Sequence, residues 1–257
     1  MDIQGKVGIV TGGASGLGQA TVEQLIAEGA RVAIFDVNKA CGAALAARCQ
    51  DKAIALPVDI TDEASVTAGI ATTMEAFGAV HILVNCAGIG TAGRTLGRKG
   101  PLPLSEFCRT INVNLIGTFN VLRLAAVEMS KNEPEGGDGE RGVIINTASI
   151  AGYEGQTGQA AYSASKAGII GMTLPVARDL ASHGIRVCTI APGLFDTPMV
   201  GAVPEPVRAQ LISQLEFPRR MGRPSEFAEL AAHIIHNRYI NAEVIRLDCG
   251  TRPPRAT

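Results

Sequence analysis

Short runs of β-branched and other apolar residues alternate along the chain with longer segments rich in Ala, Leu and Glu. Most of the short runs are continuously apolar, which is typical of parallel strands covered by helices on both faces. The pattern predicts strands at 7–10, 31–35, 53–56, 81–85, 142–147, 185–190 and 243–247. It predicts helices at 16–28, 38–50, 62–77, 105–131, 160–183, 205–216 and 225–236. This alternation indicates βαβ units and an α/β fold with a doubly wound parallel sheet.

The composition allows one sizeable core, since 46% of the 257 residues are hydrophobic and 18% are charged. No internal repeat and no linker divides the chain, so a single domain over 1–257 is expected. The polar, glycine-rich stretch 131–140 is predicted to be a surface loop between a helix and a strand. The proline-punctuated stretch near 194–224 is long for a connection, which predicts a substrate-binding loop.

Composition also disfavours several classes of protein. The net charge of −1 offers no basic surface for nucleic acid. No apolar run reaches the ~18 residues that a membrane span needs. The six cysteines lack CxxC pairs and the four histidines lack zinc-ligand spacing, so no metal is expected. The first residues resemble neither a signal peptide nor a transit segment, which predicts a cytoplasmic protein and leaves the mitochondrial matrix as the alternative.

A glycine-rich segment follows the first predicted strand and opens the first predicted helix. Gly12, Gly16 and Gly18 would allow a tight turn and let the backbone approach a pyrophosphate at the helix N-terminus. Such spacing also fits an ordinary turn. Here, however, Asp36 stands at the end of the second strand, where a dinucleotide fingerprint requires an acid. The segment therefore predicts a dinucleotide-binding site.

Two acidic residues bear on the kind of dinucleotide. Asp36 can accept hydrogen bonds from the adenosine ribose, and its charge would repel a 2′-phosphate. No Arg or Lys stands at Ala14 or Val37 to offset that charge, so NAD is expected rather than NADP. Asp59, after the third strand, is equally compatible with binding the adenine amino group and with capping the next helix.

Candidate chemistry lies in the second half of the chain. Ser149 follows the predicted strand 142–147, and Tyr162 and Lys166 stand thirteen and seventeen residues further on. A spacing of four places Tyr162 and Lys166 on one helix face. A neighbouring ammonium would lower the pKa of the phenol and suit it to acid–base work near neutral pH. Tyr-x-x-x-Lys alone is common on helix surfaces, but Ser149 and the glycine-rich segment favour a catalytic role.

Together these motifs resemble the short-chain dehydrogenase/reductase family. The resemblance extends over essentially the whole chain and rests on Gly12, Gly16, Gly18, the turn 85–88, Asn114, Ser149, Tyr162, Lys166, Pro192 and Gly193. It implies a single-domain Rossmann-type fold, α/β in class, with a seven-stranded parallel sheet flanked by helices.

The same resemblance implies a role for each site residue. Tyr162 would be the general acid/base, Lys166 would bind the nicotinamide ribose, and Ser149 would hydrogen-bond the substrate oxygen. Asn114 would hold a water that links Lys166 to solvent. The remaining implied cofactor contacts are Asn85 and Gly88 beneath the cofactor, Thr197 at the carboxamide, and Pro192.

Within the family, several stretches resemble the type II 3-hydroxyacyl-CoA dehydrogenases, also called type 10 17β-hydroxysteroid dehydrogenases. They are 143–149, 154–166, 171–180, 185–195, and the ending from 216–220 through 243–248. This resemblance implies a homotetramer and NAD contacts from Ser15, Leu17, Asp36, Asp59, Ile60, Cys86 and Phe195. Cys86 replaces the second Asn of the general family pattern and agrees with this subgroup. The departures are at 91–104, beside the substrate mouth, and at 131–141.

The leading hypothesis is therefore NAD-dependent oxidation of L-3-hydroxyacyl-CoA to 3-ketoacyl-CoA, with hydroxysteroids as further substrates. A 3-oxoacyl carrier-protein reductase, or another short-chain alcohol or ketone oxidoreductase, is the alternative within the family. Such carrier-protein reductases usually use NADPH, which Asp36 disfavours. A non-catalytic cofactor-binding scaffold is the alternative of another class, and the intact set Asn114, Ser149, Tyr162 and Lys166 disfavours it.

The stretch 91–100 contains three cations and no acid. One interpretation is a solvated basic loop. The other is a mobile loop whose Arg94, Arg98 or Lys99 touches the phosphates of a coenzyme A ester, because Arg and Lys suit phosphate oxygens.

Overall fold

The computed structural model describes residues 1–201, 205–213 and 215–252. Its strands are β1 (Val7–Thr11), β2 (Arg31–Phe35), β3 (Ala53–Leu56), β4 (Ile82–Asn85), β5 (Leu96–Gly97), β6 (Gly100–Pro101), β7 (Gly142–Thr147), β8 (Ile185–Pro192) and β9 (Val244–Leu247). Strands β5 and β6 form a small antiparallel hairpin. The other seven form one parallel sheet in the order β3-β2-β1-β4-β7-β8-β9. The predicted doubly wound α/β fold is confirmed.

Helices cover both faces of the sheet. They are α1 (Gly16–Ala27), α2 (Lys39–Cys49), α3 (Glu63–Phe77), α4 (Leu104–Ile111), α5 (Thr118–Met129), α6 (Ala160–Ala181), α7 (Pro198–Gly201), α8 (Glu205–Ser213) and α9 (Pro224–His236). Adjacent strand residues point to opposite faces. Val10 therefore packs with Val22 of α1 and Phe227 of α9, while Ile9 packs with Val121 of α5. Both faces are apolar, which is why the strands read as continuous apolar runs.

The helix predicted at 105–131 contains a turn that the sequence pattern did not reveal. Between α4 and α5, Asn112–Gly117 is π-helical, so the helix widens where Asn114 faces the loop after β4. The run Leu104–Met129 is long and apolar enough by composition to cross a membrane, contrary to expectation. Half of its most apolar window is buried in the fold.

Two predicted loops contain more structure than expected. In the predicted loop 91–100, Leu96–Gly97 and Gly100–Pro101 pair as the β5–β6 hairpin. The loop at 131–140 lies at the surface except at its end, where Glu140 is buried and accepts a hydrogen bond from Arg186 at 2.7 Å. In the predicted substrate-binding loop, the described parts form α7 and α8. The predicted helix 205–216 ends at Ser213 in the described part, and residues 202–204 and 214 lie outside the described residues.

Candidate active site

A cavity of about 530 Å³ opens at the carboxyl ends of the central strands. Ligands of open α/β sheets bind at this edge. The predicted site residues that line the cavity are Gly12, Ser15, Gly16, Leu17, Gly18, Asp36, Asp59, Ile60, Cys86, Gly88, Ser149, Tyr162, Lys166, Pro192, Phe195 and Thr197. The fold thus brings together residues from nearly the whole length of the chain.

The glycine-rich segment closes one side of the cavity. Gly12 has a φ of +61°, and a Cβ on it would lie 2.8 Å from the backbone of Ala87. A Cβ on Gly18 would collide with the carbonyl of Gly12. Helix α1 starts here without a side-chain cap at Ser15 and without an acid in its first turn. Its N–H groups and the positive end of its dipole therefore suit a pyrophosphate.

Asp36 is fixed at the end of β2. Its carboxylate accepts hydrogen bonds from the backbone N–H of Ala14 at 3.0 Å and of Asn38 at 2.9 Å. The first bond ties the carboxylate to the glycine-rich segment. The neighbouring Val37 is 70% exposed, so no cation shields Asp36 from a ligand on that side.

The structure separates the two interpretations of Asp59. The helix-capping role belongs to Asp62, whose carboxylate accepts from the backbone N–H of Ala64 at the start of α3. Asp59 instead accepts from the backbone and side chain of Thr61 at 2.9 and 2.7 Å and lines the cavity. Asp59 therefore does not cap α3, and its contact with an adenine ring stays a prediction.

Ser149 and Tyr162 meet inside the cavity. Ser149 follows β7 and caps a short 3₁₀ turn, Ile150–Gly152, by accepting from the backbone N–H of Ala151 at 3.1 Å. Tyr162, in the first turn of α6, lines the same cavity, and its phenol is close enough to the Ser149 hydroxyl to be influenced by it. Burial raises the pKa of Tyr162 above its usual value, and the nearby Ser149 hydroxyl acts in the opposite direction.

Lys166 is buried one helical turn after Tyr162. Its ammonium donates to the carbonyl of Thr147 at 2.7 Å and lies 5.8 Å from the centre of the Tyr162 ring. Burial lowers the pKa of Lys166 to about 8. We expected Lys166 to lower the pKa of Tyr162, but the pKa is raised, so that expectation is wrong. The reason is that burial of the phenol dominates and the ammonium is engaged by a carbonyl.

Asn85 and Asn114 lie behind the cavity, and neither is among its lining residues. Asn85 is 2% exposed, accepts from Thr11 and donates to Asn146 at 3.0 Å, and its predicted contact with a cofactor stays a prediction. Asn114 is fully buried, and its amide bonds both backbone groups of Ile89 and the hydroxyl of Ser165. Its described contacts therefore position the loop after β4 against α6, and its predicted water stays a prediction.

Cys86 lines the cavity next to Gly12. The hydroxyl of Thr147 lies 3.7 Å from its sulfur, and burial raises the pKa of the thiol to about 11. The thiol is therefore protonated and unreactive at neutral pH. The contact with NAD that the resemblance implies for Cys86 stays a prediction.

Several apolar residues that line the cavity were not predicted from the sequence. Ile89, Met199 and Val200 line it, and Met199 packs directly on Gly90. The place of Met199 two residues after Thr197 was the available signal. The segment 91–101 contains Arg94, Arg98, Lys99 and the β5–β6 hairpin, and we call it the basic hairpin. It lies outside the cavity lining, but the N–H of its Gly93 donates to the carbonyl of Gly158 at 2.8 Å, near the start of α6.

This arrangement fits a dinucleotide and an alcohol. The glycine-rich segment and Asp36 lie at one end of the cavity, and Lys166, Tyr162 and Ser149 lie at the other. Among the described residues, no group of three or more His, Cys, Asp or Glu is placed to hold a metal ion. The side chains present can bind a cofactor, orient a hydroxyl and exchange one proton.

Comparisons with known proteins agree with this geometry. Residues 6–207 match the family model described as short chain dehydrogenase. The chain is 53% identical over 252 residues to the 3-hydroxyacyl-CoA dehydrogenase type-2 of Bos taurus, covering 97% of this chain and 96% of that protein. The crystal structure of 3-hydroxyacyl-CoA dehydrogenase type-2 from Mycobacterium avium has a TM-score of 0.93 and 43% identity, covering 100% of both chains. The 3-ketoacyl-(acyl-carrier-protein) reductase of Brucella melitensis, complexed with NADH, has a TM-score of 0.87 and 29% identity, covering 96% and 98%.

Proposed function

Since the chain belongs to the short-chain dehydrogenase family, we propose that it oxidises L-3-hydroxyacyl-CoA to 3-ketoacyl-CoA with NAD. Family membership makes it an oxidoreductase, and the NADH-bound relative supports a nicotinamide cofactor. The observation that carries the proposal is the set Ser149, Tyr162 and Lys166 around one cavity, in a chain 53% identical to the bovine enzyme. Hydroxysteroids are further candidate substrates.

Different residues of the cavity would bind the cofactor, orient the substrate and transfer the proton. The glycine-rich segment and Asp36 would bind the two phosphates and the adenosine ribose, and Lys166 would bind the nicotinamide ribose. NAD, when bound, supplies the acceptor for the hydride that leaves the alcohol carbon. Ser149 donates a hydrogen bond to the substrate oxygen and orients it towards Tyr162. The phenolate of Tyr162 takes the hydroxyl proton as general base.

A panel of substrates tests the proposal. Purified protein with NAD should form NADH fastest with an L-3-hydroxyacyl-CoA, more slowly with hydroxysteroids, and slowest with simple secondary alcohols. Equal rates with all three classes would contradict a coenzyme A ester as the substrate. No turnover with any of them, while NADH still binds, would favour the cofactor-binding scaffold.

A carrier-protein reductase is the second candidate, because the Brucella relative shares the fold at a TM-score of 0.87. It would reduce a 3-ketoacyl group on a carrier protein. A higher kcat/KM for a 3-ketoacyl carrier protein than for the matching coenzyme A ester would select this function.

The basic hairpin is expected to bind the coenzyme A part of the substrate. Arg94, Arg98 and Lys99 are exposed and form no ion pair with any residue of the described part. Replacing all three by alanine should raise the KM for a hydroxyacyl-CoA several-fold and leave the KM for an uncharged alcohol unchanged. The reason is that phosphate contacts contribute uniform binding and do not touch the chemistry.

Salt and a matched variant control this prediction. The effect should shrink as salt rises, because exposed charges are screened over ~8–10 Å. A triple alanine variant of the distant cations Arg48, Lys52 and Lys131 should leave both KM values unchanged. Equal losses for charged and neutral substrates would indicate a folding defect, and no loss for either would make the hairpin an ordinary surface.

A homotetramer is proposed as the assembled form, supported by an apolar stripe on the outer surface. Ile116, Phe119 and Val127 are 53%, 45% and 51% exposed, and their spacing places them on one helix face. Leu174 of α6 is also exposed. Phe119→Glu should therefore lower the mass measured by light scattering. Ala43→Glu, at an exposed position of α2, should leave the mass unchanged, and an unchanged mass for Phe119→Glu would contradict an interface at the stripe.

A further inference from the structure

The orientation of Ser149 depends on the turn that follows it. Its hydroxyl accepts from the N–H of Ala151, and its carbonyl accepts from the N–H of Gly152. The turn continues as the N–H of Glu154 bonds the carbonyl of Ile150 at 2.9 Å. Ser149 therefore lies at one end of a short, rigid turn, and Glu154 lies at the other.

Glu154 is held by a residue from the far end of the chain. Arg246, in the edge strand β9, donates two hydrogen bonds to the Glu154 carboxylate at 2.8 and 2.9 Å. Such a two-bond pair fixes both side chains in geometry as well as in charge. The Arg246 guanidinium also lies 5.0 Å from the centre of the Tyr153 ring.

Further groups fix the side chain of Arg246. The Asp248 carboxylate accepts from its Nε at 2.8 Å, and the carbonyl of Thr251 accepts from its Nη2 at 3.2 Å. Arg252 pairs with the same Asp248 carboxylate at 3.1 Å. The guanidinium is therefore bound on all its edges, and this arrangement is too specific for a casual surface ion pair.

Helix α6 supports the other side of the same turn. A Cβ on Gly152 would lie 2.7 Å from Ile170 and 3.0 Å from the backbone of Ala167, so this glycine packs directly on α6. Helix α6 also carries Tyr162 and Lys166. The turn lies between α6 and the pair of Arg246 and Glu154, which we call the clamp. Ser149 points from this turn into the cavity.

We propose that Arg246 is a positioning residue for the reaction, which through Glu154 fixes the turn that aims Ser149 at Tyr162 and at the substrate oxygen. This inference rests on the proposed function, because it assigns Ser149 and Tyr162 to an alcohol oxidation. A catalytic group that is displaced by about 1 Å can lose about 100-fold in rate, so the position of Ser149 matters for the reaction.

Glu154→Ala tests the clamp, because it frees the turn and leaves Arg246 paired with Asp248. Its kcat for alcohol oxidation should fall by about 10- to 100-fold, while the NADH dissociation constant and the melting temperature stay close to wild type. Glu154→Gln, which keeps the shape and one acceptor, should recover part of the rate. Glu23→Ala, which removes a comparable exposed pair with Arg48, should leave the rate unchanged.

The pH profile separates positioning from mere stability. The titratable groups that line the cavity are Asp36, Asp59, Cys86, Tyr162 and Lys166. The nearby Ser149 hydroxyl lowers the pKa of Tyr162, so its displacement in Glu154→Ala should move the rise of the oxidation rate to higher pH. A wild-type kcat and pH profile would overturn the inference. So would a loss of kcat matched by equal losses of NADH binding and melting temperature.

A readout without turnover distinguishes this inference from the proposed function. The chain has three tyrosines and no tryptophan, so ionisation of the tyrosines can be followed by absorbance. The transition that Tyr162→Phe removes should lie at higher pH in Glu154→Ala than in wild type. If the wild type oxidises no substrate, the proposed function fails, and this titration still decides whether Arg246 and Glu154 position Ser149. An unshifted transition would overturn the inference.

Discussion

Replacing Tyr162 by phenylalanine is expected to lower the turnover number for alcohol oxidation by ~10²–10⁴-fold, the usual contribution of a positioned proton-transfer group. The substitution removes the hydroxyl that meets Ser149 and keeps the ring that packs near Lys166. NADH binding should stay nearly intact, because the glycine-rich segment, Asp36 and Lys166 are unchanged. Steady-state rates and the NADH dissociation constant, measured on one preparation, check the two halves of this expectation.

Tyr239 offers the matched control for that variant. Its side chain is fully exposed, so Tyr239→Phe should keep wild-type rates. Near wild-type turnover in Tyr162→Phe would remove Tyr162 from the mechanism. A parallel loss of melting temperature and NADH binding would instead indicate a damaged fold.

The pH dependence follows from the same residue. Burial raises the pKa of Tyr162, and only the phenolate can act as base. Oxidation should therefore be slow below this pKa and increase as pH rises through it. Ketone reduction needs the protonated phenol and should decrease over the same range. A flat profile for oxidation, measured as kcat/KM, would contradict Tyr162 as the base.

Asp36 is expected to give a strong preference for NAD over NADP. Two like charges about 4 Å apart repel by about 1 kcal/mol in water and by about 4 kcal/mol near a protein surface. These energies correspond to about a fivefold and about a thousandfold loss of affinity. The carboxylate lines the cavity at the end of β2, and the adjacent Val37 carries no charge to offset it. The double variant Asp36→Ala with Val37→Arg should narrow or reverse the preference in kcat/KM.

Two single variants control the cofactor experiment. Asp36→Asn keeps an acceptor for the N–H of Ala14 and loses the charge, so it should relax the preference without loosening the glycine-rich segment. Val37→Arg alone should improve NADP less than the double variant. Equal use of NAD and NADP by the wild type would show that Asp36 does not select the cofactor.

The sequence was sufficient where function depends on local pattern. The glycine-rich segment, Asp36, and the spacing of Ser149, Tyr162 and Lys166 all lead to one cavity. These residues lie at the ends of strands or on one helix face, so the order of elements along the chain already places them together. The expected cytoplasmic location stays a prediction.

The sequence was insufficient where tertiary contacts decide. Asn85 carries the motif of a cofactor contact, yet its amide faces Asn146 on the neighbouring strand. The π-helical turn at Asn112–Gly117 leaves no mark in a 3.6-residue period. The raised pKa of Tyr162 reflects burial, which residue spacing does not encode. The pair of Arg246 and Glu154 joins positions 92 residues apart, so only the folded sheet reveals it.

The destination of one hydrogen atom shows whether the chain transfers a hydride from the alcohol carbon to NAD. An L-3-hydroxyacyl-CoA that carries deuterium at carbon 3 is incubated with NAD and the wild-type protein, and the NADH is analysed by mass spectrometry and NMR. One deuterium should appear on the nicotinamide ring for each 3-ketoacyl-CoA formed. NADH without deuterium, or no NADH from a folded protein that binds the cofactor, would contradict this hydride transfer.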